Sequence, residues 1–97
     1  MPIFIKTELI KNKYLIQKDF RKKIINEHII WIENLKRKGI NIKSGFMVDE
    51  FKQPGAGGLL IIEIETYKEA LEIIKNDPMI KNNIVEWKLN EWIDINQ

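Results

Sequence analysis

His28 is the one histidine in a chain of 97 residues that contains no cysteine. The imidazole is the side chain that ordinarily titrates near neutral pH, which makes it the natural general acid or base of such a chain. It stands in the run Glu27-His28-Ile29, with Ile24, Trp31, Ile32 and Leu35 at three- and four-residue steps around it. That spacing places it at the centre of an apolar helical stripe, pointing inward. A buried ring has to hydrogen-bond to something, and two roles meet that demand: a structural histidine that satisfies a backbone carbonyl, or a general base poised by its surroundings for proton transfer. The spacing does not choose between them.

Asp77, immediately before Pro78, is the second candidate. In such a turn a carboxylate ordinarily caps local amides. If the helix before it packs beside the helix carrying His28, the same carboxylate would hold the imidazole in one tautomer, and the two would form a His-Asp dyad. Arg21 lies seven residues before His28, within about 20° of the same helical line and roughly 10 Å away along the axis. It is a candidate for binding an anionic substrate, although a long side chain snorkelling to water gives the same pattern. Ser44 falls on the inward alternation of a strand and is expected to line the pocket. A hydroxyl there is commonly bonded to backbone, and the sequence offers it no evident partner base. Trp31, Trp87 and Trp92 sit at core spacing, where tryptophans pack more often than they stack on ligands.

The inventory also excludes. Without cysteine there are no disulfides, thiolate nucleophiles or thiolate metal sites, and with one histidine no all-protein zinc or iron site is expected. The glycine-rich run Pro54-Gly55-Ala56-Gly57-Gly58 enters a strand instead of a helix, so it does not have the form of a phosphate cradle, and no cofactor is expected. Sixteen Lys and Arg face fourteen Asp and Glu for a net charge of +2, with the signs interspersed. A phosphate-tracking stripe is absent from that pattern, so nucleic acid is not an expected partner. No apolar run reaches the length of a membrane span, and Lys6 and Glu8 interrupt the first ten residues where a signal peptide would be apolar. A cytoplasmic protein is the expectation.

The elements that must position these residues follow from periodicity. Residues 3–9 alternate, with Ile3, Ile5, Thr7 and Leu9 on one side and Phe4, Lys6 and Glu8 on the other, as in a strand. After a polar stretch at 11–18, apolar residues from Phe20 to Leu35 recur at helical spacing, and Gly39 offers the stop. Ile40 to Val48 alternate as a second strand, a turn-rich loop is expected over 49–58, and a third strand over 59–65. Thr66 and Glu69 form a capping box that opens a second helix, which Asp77-Pro78 ends. Residues 84–93 alternate as the last strand. The order strand, helix, strand, strand, helix, strand folds most simply as one α+β, ferredoxin-like βαββαβ domain over 1–97: a four-stranded antiparallel sheet with both helices on one face. Leu59, Leu60, Ile61 and Ile62 are apolar on both sides, so the face without helices also needs cover, and a second copy in a homodimer is expected to supply it.

Glu27-His28-Ile29, Ser44-Gly45, Gly57-Gly58-Leu59, Glu69-Ala70 and Asp77-Pro78-Met79, in this order, resemble the YCII (YciI-like) family over nearly the whole chain. The resemblance implies a dimeric alpha/beta barrel, and it marks His28 and Asp77 as the polar pair proposed to act in that family. Members include proteins implicated in the breakdown of halogenated aromatics, and the wider group includes isomerases, oxygenases and binding proteins, so the likeness does not fix a reaction. The reading is a cofactor-free acid/base enzyme of the lyase, isomerase or hydrolase kind. It would act on a small cyclic or aromatic metabolite through His28 and Asp77. The alternative is a non-catalytic dimer that binds a small ligand.

Overall fold

The computed structural model describes residues 1–12 and 17–96. Four strands, β1 (Ile3–Ile10), β2 (Asn41–Val48), β3 (Pro54–Glu63) and β4 (Val85–Trp92), form one antiparallel sheet in the order β2-β3-β1-β4. Helix α1 (Lys18–Arg37) joins β1 to β2. Helix α2 (Tyr67–Ile74) and a single further turn, α3 (Pro78–Lys81), join β3 to β4. This is the ferredoxin-like arrangement expected from the element order. The polar stretch at 11–18 lies in part outside the described residues.

The alternation of β1 decides which face is which. Phe4 and Lys6 are buried, whereas Thr7 and Leu9 are exposed, so the helices cover the side of the strand that carries the charges. Opposite Phe4 lie Ile62 of β3 and Glu91 of β4, and opposite Lys6 lie Leu60 and Leu89. Ile32 and Leu35 of α1 and Ala70 and Ile74 of α2 close over Phe4, Ile42, Leu60, Ile62 and Leu89 to form the main core. A second cluster joins Ile24 of α1 to Met79, Ile84 and Val85. The other face is bare. Ile5 pairs with Ile61 and Thr7 with Leu59 there, and Leu9 and Trp92 are 55% and 53% exposed. Trp92 is therefore no core residue: β4 turns Val85 and Leu89 inward, and 92 falls on the opposite parity. Trp31 and Trp87 do pack against the core.

Two boundaries differ from expectation. The loop read over 49–58 closes earlier, because β3 begins at Pro54, paired with Val48 across a register shift in β2. The glycines that suggested a turn serve a close strand approach. A Cβ at Gly57 would stand 2.5 Å from the Glu8 carbonyl oxygen, and one at Gly58 2.9 Å from Glu8 Cγ, so only a bare backbone lets β3 lie against β1 there. The second helix opens as read, with Thr66 Oγ1 accepting from the Glu69 amide at 3.1 Å. It stops at Ile74, and Asp77 begins a new helical turn with Pro78 in its first position.

Candidate active site

His28 lies on α1 between the buried Ile24 and Ile32, one turn from each, so the packing of those two neighbours directs its ring inward. Asp77 is fully buried at the N-cap of α3, where its Oδ1 accepts the Met79 amide at 2.9 Å. The packing of α3 against α1 brings the same Oδ1 within 2.8 Å of His28 Nδ1. Capping and holding the imidazole, the two roles weighed for Asp77, are thus performed together by one oxygen.

An ionised carboxylate can only accept, so Nδ1 carries the proton and donates it to Asp77. The neutral ring then presents Nε2 as an acceptor, and Ser44 Oγ lies 2.8 Å from it. Ser44 is bonded to the imidazole, not to backbone, and its partner base, invisible in the sequence, is His28. Ser44 sits on β2 two residues past the buried Ile42, where the strand emerges from under the helices, and it is exposed. The His28 side chain keeps 12% of its surface open. Trp31, with its ring centroid 5.6 Å from the imidazole, flanks it at a tilt of 43°. Asp77, His28 and Ser44 therefore run in a line from the interior to the surface. Arg21 stands apart from that line: it is half-buried in the first turn of α1, two turns before His28.

Two residues of the cluster were not read from the sequence. Lys6, fully buried, places its ammonium 2.5 Å from Asp77 Oδ2 and 2.5 Å from Glu8 Oε1, and the Glu8 side chain is only 10% exposed. The signal was present in β1: Phe4 shares their parity, so the Lys6 and Glu8 side is the one turned to the core. A buried aspartate also needs a cation. Burial pushes the Asp77 carboxyl up, but the hydrogen bond from His28, the nearby charge of Lys6 and that of His28 in its imidazolium form outweigh it and hold the group below the ordinary carboxylate range. Among the described residues, no buried side-chain nitrogen or oxygen lacks a partner, and no three His, Asp or Glu side chains converge as a metal set would.

A ferredoxin-like sheet with a histidine held between an aspartate and a serine defines a class of small α+β proteins, and sequence comparison narrows it. The chain belongs to the YCII family: the model of the YCII-related domain matches residues 6–93. Among solved structures, it is similar to 5-chloro-2-hydroxyhydroquinone dehydrochlorinase (TftG) from Burkholderia phenoliruptrix AC1100, in complex with 2,5-dihydroxybenzoquinone. That match has a TM-score of 0.73 at 21% identity and covers 97% of this chain and 96% of the other. The de novo designed protein Ferredog-Diesel matches with a TM-score of 0.60 at 11% identity, covering 93% and 84%. At such identities the likeness establishes the fold. No curated protein matches the chain significantly. No helix among the described residues is long and apolar enough to cross a membrane.

Proposed function

We propose that the protein is a small-molecule enzyme in which His28 transfers protons, oriented and electrostatically supported by Asp77, on a small hydroxylated ring. The observation that carries this reading is the 2.8 Å contact from His28 Nδ1 to Asp77 Oδ1, with Nε2 directed at an exposed hydroxyl. A substrate hydroxyl that replaces Ser44 Oγ at Nε2 would give up its proton to the imidazole. The imidazolium so formed faces the Asp77 carboxylate, and the same proton is then available to a departing group. Ser44 then hydrogen-bonds the bound ring. The dehydrochlorinase of the same fold acts on a chlorinated hydroxyhydroquinone, which makes hydroxylated and halogenated aromatics the first compounds to assay. Release of halide or a change in ring absorbance, abolished in His28→Gln, is the expected result. Compounds that bind at His28 and are recovered unchanged would establish a binding protein instead.

The bare sheet face supports a second part of the reading: two copies pair through it, covering Ile5, Leu59 and Ile61. Burial of about 1,200 Å² or more in total is the size of a stable interface. Light scattering at micromolar concentration is expected to give twice the monomer mass, and a persistent monomer would exclude this pairing.

A further inference from the structure

Among the described residues, Lys6 and Asp77 are the buried charged side chains, each with no exposed surface. A lysine in such a position gives up its hydration, and an ion pair inside a protein adds little net stability over an apolar pair of the same shape. Its geometry is that of a clamp. Lys6 Nζ takes Asp77 Oδ2 at 2.5 Å, leaving Oδ1 to receive the Met79 amide and the imidazole. Glu8 closes on the same ammonium at 2.5 Å, in a place that exists because residue 58 has no side chain.

We propose that Lys6, with Glu8 as its counter-charge, is a positioning residue for His28: it holds one oxygen of Asp77 so that the other stays anionic and fixed in direction for the imidazole. The proposal rests on the acid/base reading of His28 and Asp77. Lone-pair count and charge support it together. A carboxylate free to rotate about its Cβ–Cγ bond would offer either oxygen to His28, whereas one whose Oδ2 is claimed by an ammonium offers only Oδ1. Lys6 and Asp77 alone sum to zero charge, so an imidazolium formed on proton capture would face no net negative charge. With Glu8 the three groups sum to −1 and supply one. The groups that face Asp77 are thus His28 from α1, Lys6 with Glu8 behind it from β1, and the Met79 amide of its own turn; Ser44 from β2 faces His28.

Nuclear magnetic resonance of the labelled full-length protein tests this without a substrate, because the single histidine gives one set of ring nitrogen signals. The readouts are the Asp77 carboxyl carbon and the His28 ring nitrogens as functions of pH. In Lys6→Met the Asp77 ionisation step is expected to move up by about one pH unit or more, and the His28 Nδ1 signal to broaden as its acceptor loses its fixed direction, while the Nδ1–H tautomer is kept because the carboxylate still only accepts. Lys6→Arg should keep the wild-type step and line width. Glu8→Gln should move the Asp77 step down, since Lys6 then serves Asp77 undivided. Opposite displacements in the two charge-removing variants support the proposal. A Lys6→Met protein that melts lower but keeps the wild-type Asp77 step and Nδ1 signal would overturn it. If Lys6→Met does not fold, Glu8→Gln decides alone, and an unmoved Asp77 step overturns the proposal. Absence of turnover in the wild type would remove the acid/base reading and leave these spectra unchanged, so the two failures are separable.

Discussion

Along the inward face of β1, two neighbouring regions are held together by different forces. Phe4 shares its cluster with Ile42, Ile62, Ile74 and Ala70, all buried and apolar, under the edge-on ring of Tyr67, and the stabilisation there scales chiefly with area, at about 25 cal/mol per Å² removed from water. Two residues further on, Lys6 and Glu8 meet Asp77 and His28, and every contact there is directional. The first region tolerates reshaping as long as volume is kept, because dispersion and burial have no preferred direction. The second adds little net stability and loses its arrangement if any one partner goes. Adjacent halves of one layer thus divide the labour, one supplying cohesion and the other orientation.

The largest test of that division is His28→Ala. General acid/base assistance is worth about 100- to 10,000-fold, so turnover of an accepted substrate should fall by that factor while the melting temperature stays within a few degrees of wild type. A variant that lost cohesion and activity together would erase the distinction between the regions. Ile62→Ala is the converse. Truncating a fully buried side chain in the apolar half should cost about 2–5 kcal/mol in urea unfolding, with the Nδ1–H tautomer of His28 retained below the transition. Asp77→Asn should lower turnover less than the loss of His28 and shift its pH profile, because an asparagine oxygen can still cap α3 while the charge that supports the imidazole is gone. It sharpens the comparison through acid. The Asp77 carboxyl is held below its ordinary value of 3.8, so its contribution to stability is complete above that pH and is lost as the pH falls through the depressed folded-state value. Wild type should therefore lose stability on acidification below about pH 4 more steeply than Asp77→Asn.

The strands and helices were legible because their periods differ, 2 against 3.6, and because the Thr66 capping box marks a helix start by local chemistry alone. The segment 54–58 was not. Proline and glycine are turn residues in most settings, and their use here, to let β3 approach Glu8, depends on a strand more than forty residues away in sequence. The position of His28 on an inward stripe could be read, and so could the turn carrying Asp77, since both follow from spacing within one element. Ser44 as the partner of Nε2 could not, because it requires the register between β2 and α1. Lys6 and Glu8 were not legible because the alternation of β1 separates two faces without saying which one the helices cover, and the face of Ile3, Ile5, Thr7 and Leu9 is the one left bare.

Asp77 Oδ1 accepts the Met79 amide and the His28 ring at once, and this gives the backbone a view of the site. Exchange of the Met79 amide hydrogen with solvent requires that bond to open, and opening it releases the oxygen that orients the imidazole. Protection of one amide in a short turn therefore measures how often the contact between His28 and Asp77 comes apart, in the resting protein and on the timescale of local unfolding. A ligand that settles against Nε2 and steadies His28 should slow that exchange from the far side of the ring, registering its arrival at an atom it never touches.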